Sequence, residues 1–258
     1  MNKQIRTAAR FISGRLYRHS AVHYALKTCF LALPPSIRGR QMLWDSLVEM
    51  GRRPGEIVVL QIGANDGEQC DPVAHFIRKH RWKAVLVEPV PAIFAQLKRN
   101  YAGCDGLTFV NAAVSDRDEV RPFYFLDDPK NELPPWARGL GSFQEEHVTD
   151  HAIPGREIRA YLRKIDVPCL SLATLLDKHD VRKVDVLVID AQGFDHRVVK
   201  QIPFDRIAPH LIIYEHILLD PEDRRACDEW LRSHGYTVES NRWDVLGTLN
   251  GSGQAATS

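Results

Sequence analysis

Residues 57–62 read IVVLQI and run directly into Gly63-Ala64-Asn65-Asp66-Gly67. Six residues with one polar member are too short for an ordinary helix and too apolar for a strand with one wet face, so they read as a strand covered on both sides. Cover of that kind comes from crossover helices, and this restricts the fold more than any other feature of the chain. The rhythm then repeats. A helix over 72–80, a strand over 84–87, a helix over 91–101 with Phe94 and Leu97 inward, and a strand over 107–110 make two βα units and a third strand. Residues 115–184 break the pattern with a strand over 122–126, a loop rich in Pro, Gly and charge, a strand over 167–170 and a helix from Ser171, and they read as an insertion. A strand within 184–189 (VDVLVI), a helix near 196–201 and a strand over 211–214 (LIIY) restore the rhythm. Asp220-Pro221-Glu222 caps a helix that ends before Gly235, and residues 236–240 and 245–249 flank an Asn-Arg-Trp-Asp turn as a terminal hairpin. The expected class is α/β, a mostly parallel sheet with helices on both faces and a C-terminal β-hairpin.

The 258 residues suffice for one large domain with an appendage, and 44% apolar with 26% charged residues excludes wholesale disorder and a multi-span membrane protein. The formal net charge of +1 implies no polyanion partner, hence no nucleic acid. Charge is unevenly spread: up to Arg40 there are eight bases and no acids, leaving a body with more acids than bases. Residues 1–54 therefore read as a basic helical N-terminal arm, 55–250 as the domain, and 251–258 as a flexible tail. Within the arm Ile5, Ala8, Ala9, Ile12 and Leu16 share a helical face beside Lys3, Arg6 and Arg10. Such a face suits peripheral contact with an anionic membrane, or packing on the domain or a second subunit. A mitochondrial transit peptide is a third reading of the same acid-free start. The apolar stretch 21–35 is broken by His23 and Lys27 and is too short to span a bilayer. Five scattered cysteines without a Cys-x-x-Cys pair suggest reduced thiols and a cytoplasmic location.

A glycine-rich turn at the carboxyl end of the first strand lies where open α/β sheets bind nucleotides. Gly63 and Gly67 allow sharp turns and close approach to a ligand, while Ala64, Asn65 and Asp66 fill the turn between them. Glu88 ends the second strand, where a carboxylate accepts both hydroxyls of an adenosine ribose. The turn is Gly-x-Asn-x-Gly and lacks the Gly-x-Gly-x-x-Gly spacing that seats a pyrophosphate. That difference favours S-adenosyl-L-methionine, whose sulfonium and amino acid replace phosphates. Asn111 and Ala112, after the third strand, would meet the adenine edge.

Taken in order, VVLQIGANDG, VLVEPVPAIFAQL, FVNAAVSD and VDVLVIDAQGFD resemble the FkbM-type methyltransferases, a Rossmann-like class I branch of S-adenosylmethionine enzymes. The resemblance spans about 57–219, including the insertion. It implies a seven-stranded sheet closed by the terminal hairpin, and O-methylation of hydroxyls on sugars or polyketide-type products. Family members often have Glu where this chain has Gln192, and Glu after the Gly of IDxxG, where this chain has Phe194-Asp195. No acid–base or metal role is carried over to those positions.

A sugar hydroxyl is a poor nucleophile until a base takes its proton. Candidates at the ends of the fourth and fifth long strands are Asp190, Glu215 and His216, with His196 opening the helix between them on the acceptor side. Gly139-Leu140-Gly141-Ser142-Phe143 resembles the small-residue segment that family members place near the acceptor, which nominates Ser142; a plain mobile loop is the other reading. His147 and His151 share helical spacing without a third metal ligand, and Asp127-Asp128 reads as a solvated turn. No metal is expected. Competing readings are an NAD-dependent oxidoreductase and a non-catalytic interaction module of methyltransferase fold.

Overall fold

The computed structural model describes residues 35–250 except 70, 135, 136, 138, 151, 152 and 154. The basic face between Lys3 and Leu16, Cys29, Cys70, His151 and the tail from Gly251 lie outside the described residues. Along the chain the elements are α1 (Pro35–Met50), β1 (Val58–Ile62), α2 (Ala74–His80), β2 (Lys83–Val87), α3 (Pro91–Asn100) and β3 (Leu107–Val110). The insertion supplies β4 (Ala113–Val114), β5 (Glu119–Leu126), β6 (Gly141–Ser142), α4 (Glu145–Thr149), a 3₁₀ turn at Ile158–Ala160 and β7 (Leu162–Leu170). Then follow α5 (Leu172–Lys178), β8 (Val186–Ile189), α6 (Asp195–Lys200), β9 (Leu211–Glu215), α7 (Pro221–Ser233), β10 (Tyr236–Ser240) and β11 (Asp244–Leu249).

The large sheet has the order β10-β11-β9-β8-β1-β2-β3, with β1, β2, β3, β8 and β9 parallel and the β10–β11 hairpin antiparallel. Its parallel strands are mostly apolar because each face carries its own core. Leu60, Val85, Leu187 and Ile212 pack on one side with Leu175 of α5, Val198 of α6 and Leu231 of α7. Their strand neighbours Val59, Leu86, Val188 and Ile213 pack on the other with Phe76 of α2 and Leu97 of α3. This is the period of two in Cβ direction, with apolar residues at both phases. Leu47 and Met50 of α1 join the second core, and Trp44 sits 4.7 Å from the Phe76 ring. The end of the segment read as an arm thus contributes to the domain core.

The insertion forms a second sheet in the order β4-β7-β5-β6. β5 and β7 pair from Glu119↔Cys169 to Leu126↔Leu162, β5 beginning three residues and β7 five residues before the strands read from the sequence. Pro122 hides the start of β5, the charged Arg163, Lys164 and Asp166 hide the first half of β7, and Pro168 lies within the part read as strand. A proline demotes a run to an edge strand, and here both lie where no third strand pairs: β6 meets β5 only at Tyr124 and Phe125, and β4 meets β7 only at Cys169 and Leu170. Asp220 occupies the N-cap position of α7 but its side chain makes no capping bond, while Pro221 fills the first turn as expected. Cys104, Cys169 and Cys227 are free thiols. No helix among the described residues is long and apolar enough to cross a membrane.

Candidate active site

From β1 the chain proceeds to β2 and β3 on one side, and from β8 to β9 on the other, so the connections at the carboxyl ends of β1 and β8 diverge and leave a crevice. Gly63 and Asp190 face one another across it. The Asp190 N–H donates to the Ile62 carbonyl (2.9 Å), and a Cβ at Gly63 would overlap the Asp190 carbonyl oxygen. Gly63 also has φ +78°, so both space and conformation demand glycine. The N–H groups of Gly63 and Ala64 converge on the Val87 carbonyl at 3.0 and 2.9 Å, tying the turn to β2. Asn65 adopts the left-handed region at φ 48°, where its Oδ1 accepts the Asp66 N–H (2.7 Å). Behind the turn, Arg78 of α2 donates to the Gly67 carbonyl (2.9 Å) and Asn100 of α3 to the Asp66 carbonyl (2.8 Å).

Glu88 is only 5% exposed and lines the crevice. Its two carboxylate oxygens accept the N–H groups of Val90 (2.8 Å) and Asn65 (3.1 Å). Burial pushes its pKa up to about 7; the two N–H bonds oppose this, and the charges of Asp190 and Asp66 add to it. Asn111 donates from Nδ2 to the Glu88 and Pro89 carbonyls (2.8 and 3.1 Å), so its amide fixes the strand end that carries Glu88. Ala112 lines the crevice, whereas Ala64 is buried in the core beneath it.

The opposite lip is the turn Asp190-Ala191-Gln192-Gly193. Gln192 is left-handed at φ 45° and Gly193 has φ 93°. Such backbone persists where its surroundings over-determine it, and here they do. Asp195, 1% exposed, accepts the N–H groups of Ala191 (3.1 Å) and Gly193 (3.0 Å) from inside the turn. Burial raises its pKa to about 8, helped by repulsion from Asp190. The Gln192 amide donates to Asp190 (2.6 Å) and to Glu215 at the end of β9 (3.1 Å). Glu215 is held well above the usual carboxylate range by burial and by the charges of Asp190, Asp195 and Asp244. Asp190 keeps an exposed edge, yet desolvation and the charge of Asp244 raise its carboxyl too, against the lowering effect of the Gln192 bond.

The other nominated residues lie elsewhere. His216 follows Glu215 on an extended segment and faces the opposite way, with Nε2 3.0 Å from the Asn241 carbonyl in the hairpin turn. His196 sits 3.6 Å from Asp223 of α7, and neither histidine lines the crevice. Ser142 is 2% exposed and donates to the Gln192 carbonyl (2.9 Å), although its neighbours Gly141 and Phe143 do form the wall. Asp128 caps the loop after β5 by accepting the N–H groups of Glu132 and Leu133, and Asp127 pairs with Arg163. Among the described residues no group of three metal-ligating side chains gathers. Sequence reasoning missed the part of Asp195 and His147 in holding the turn. Gly193 was the available signal, because a glycine after a strand end invites another side chain to approach.

This strand order, with a glycine turn after the first strand and an acid after the second, defines a class I methyltransferase architecture. Residues 61–238 match the methyltransferase FkbM domain, and the chain belongs to that family. Among solved structures, methyltransferase FkbM from Methylobacillus flagellatus superposes with a TM-score of 0.46 at 12% identity, covering 75% of this chain and 43% of that one. Precorrin-6y C5,15-methyltransferase from Geobacter metallireducens gives 0.42 at 12% identity, covering 81% and 88%. Aeropyrum pernix fibrillarin, crystallised with natively bound S-adenosyl-L-methionine, gives 0.41 at 12% identity, covering 75% and 66%. No curated protein matches the chain.

Proposed function

We propose that this methyltransferase moves the methyl group of S-adenosyl-L-methionine to a hydroxyl of a sugar, glycan or related metabolite. The observation that carries the reading is Glu88, a buried carboxylate held at the cleft wall by the cofactor turn itself through the Asn65 N–H. A carboxylate so placed suits a ribose diol. The surrounding acids, Asp66 and Asp190, suit a ligand with a sulfonium and an ammonium and disfavour one with phosphates. When bound, the cofactor supplies an electrophilic methyl: the acceptor oxygen bonds to it as the sulfur–carbon bond breaks, and the hydroxyl proton must go to a base. Asp190 takes that role in this reading. Asp190 lines the crevice and shares the Gln192 amide with Glu215, so of the two carboxyls it is the one that an acceptor in the crevice reaches.

Calorimetry with S-adenosylhomocysteine tests the cofactor site. Removing one carboxylate that serves two hydroxyls, in Glu88→Ala, should weaken binding by roughly tenfold to a hundredfold, from charge-assisted bonds of ~1.5–3 kcal/mol. Unchanged affinity would refute the ribose assignment. Mass spectrometry of extracts incubated with protein and deuteromethyl-labelled cofactor then reports the acceptor, and label found on nitrogen or carbon in place of oxygen would refute O-methylation.

A further inference from the structure

We infer that His147 is a positioning residue, which holds the Asp190–Gly193 turn through the Gln192 carbonyl in the geometry that cofactor binding requires. The inference rests on the methyl-transfer reading of the crevice. That carbonyl accepts two bonds from the insertion, from Ser142 Oγ at 2.9 Å and from His147 Nδ1 at 3.0 Å. A carbonyl oxygen only accepts, so Nδ1 carries the proton in this contact. The imidazole also occupies the room that Gly193 leaves, since a Cβ at 193 would overlap its ring at Cε1 and Nδ1. The donor is thereby fixed in position by shape as well as by the bond.

Three sets of contacts define the turn, and each comes from a different part of the chain. Asp195 holds the N–H groups of Ala191 and Gly193 from α6, and Glu215 meets the Gln192 amide from β9. Ser142 and His147 hold the carbonyl from β6 and α4. The left-handed backbone of Gln192 relaxes toward ordinary dihedrals if one set is lost, and its amide then leaves Asp190, which lines the crevice. Removing the His147 donor leaves the bond from Ser142 Oγ to a part-buried carbonyl that loses one of its two side-chain donors.

The test uses the full chain and S-adenosylhomocysteine as the titrated ligand. His147→Ala should weaken binding about tenfold, a change of ~1.4 kcal/mol. His147→Asn, whose amide N–H can stand where Nδ1–H stood, should bind within about threefold of the unsubstituted protein. A general packing role would not be rescued by so small a side chain. Unchanged binding by His147→Ala, or His147→Asn as weak as His147→Ala, overturns the inference. If His147→Ala does not fold, His147→Leu replaces it, filling the space without a donor: it should bind weakly, and binding like the unsubstituted protein overturns the inference. Glu88→Ala is titrated alongside. If it binds normally, the cofactor reading falls and takes the inference with it; if it binds weakly while His147→Ala is unaffected, the positioning role alone falls.

Discussion

The two sheets bury their strands differently. All four residues of β8 are buried, while β7 alternates buried or half-buried residues with exposed ones along most of its length. Helices cover both faces of the large sheet, so its position in the molecule is set by apolar contact on two sides. The small sheet is attached chiefly through one face, where Phe123, Val167 and Cys169 pack with Val90 and Ala113. Chemistry divides along the same line. The large sheet carries Gly63, Glu88, Asp190 and Glu215 at its strand ends, and the small one supplies wall and clamp in Phe123, Phe143, Ser142 and His147. The large sheet is covered by helices on both faces, whereas the second face of the small sheet is covered only toward its outer end, where Leu126 packs with Leu133, Val148 and Ile158.

The strongest test of that division is Asp190→Asn, which keeps size and hydrogen bonding but cannot take a proton. Methyl transfer to an identified acceptor should fall by ~10²–10⁴ while S-adenosylhomocysteine still binds. Turnover within a few-fold would move the base to Glu215, His216 or His196; collapse of cofactor affinity would assign Asp190 to cofactor binding. Next in size is core truncation. Leu187→Ala in β8 should cost ~3–5 kcal/mol in urea unfolding because helices on both sides cannot close the gap, and Leu126→Ala in β5 about 2 kcal/mol because the small cluster it joins with Leu133, Val148 and Ile158 relaxes more readily. Equal losses would show the insertion to be as rigid as the scaffold.

The pH dependence gives a third separation. Glu88 titrates at about 7 in the fold against 4.5 in the open chain. Its native state therefore binds more protons between those values, and stability falls as pH rises from about 4.5 through 7. Asp195, raised to about 8 from 3.8, acts in the same direction. Comparing Glu88→Gln with the unsubstituted protein in urea at pH 5 and pH 8, the balance should shift toward the variant by on the order of 2 kcal/mol. A shift the other way would mean that Glu88 is stabilised as the anion. The smallest effect is expected at Val120, 69% exposed on β5, where alanine should change unfolding by less than about 0.5 kcal/mol. A larger loss there would reveal that the cover over Leu126 extends along the whole of that face.

What could be read from the sequence follows the same division. Apolar runs mark strands covered on both sides, so β1, β2, β3, β8 and β9 were legible to within a residue or two, as were the glycine turn and the acid after β2. β5 was legible only from Pro122 onward and β7 only from Val167 onward, because an interior proline and exposed charged residues weaken the signal. The two-residue strands β4 and β6 carry no periodicity at all. Glu215 and His216 illustrate a finer limit: adjacent in sequence, they point to opposite sides of an extended segment, and only the register of β9 shows which one meets Gln192. The clamp of Ser142 and His147 on Gln192 joins residues far apart in the chain and leaves no local trace beyond a glycine.

One crossing in the insertion limits how this protein can vary. A Cβ at Gly139 would overlap the side-chain amide of Asn65, so the backbone of a loop that reads as permissive lies directly on the cofactor turn. Any enlargement at 139 must displace the Asn65 amide, and with it the bond to the Asp66 N–H, or be met by a smaller residue at 65. Glycine there would keep the left-handed backbone but give up the Asn65 bond to the Asp66 N–H, and alanine would strain the backbone as well. The two positions are expected to change together or not at all, and a substitution that looks harmless in the loop would be felt first as a fault in the turn.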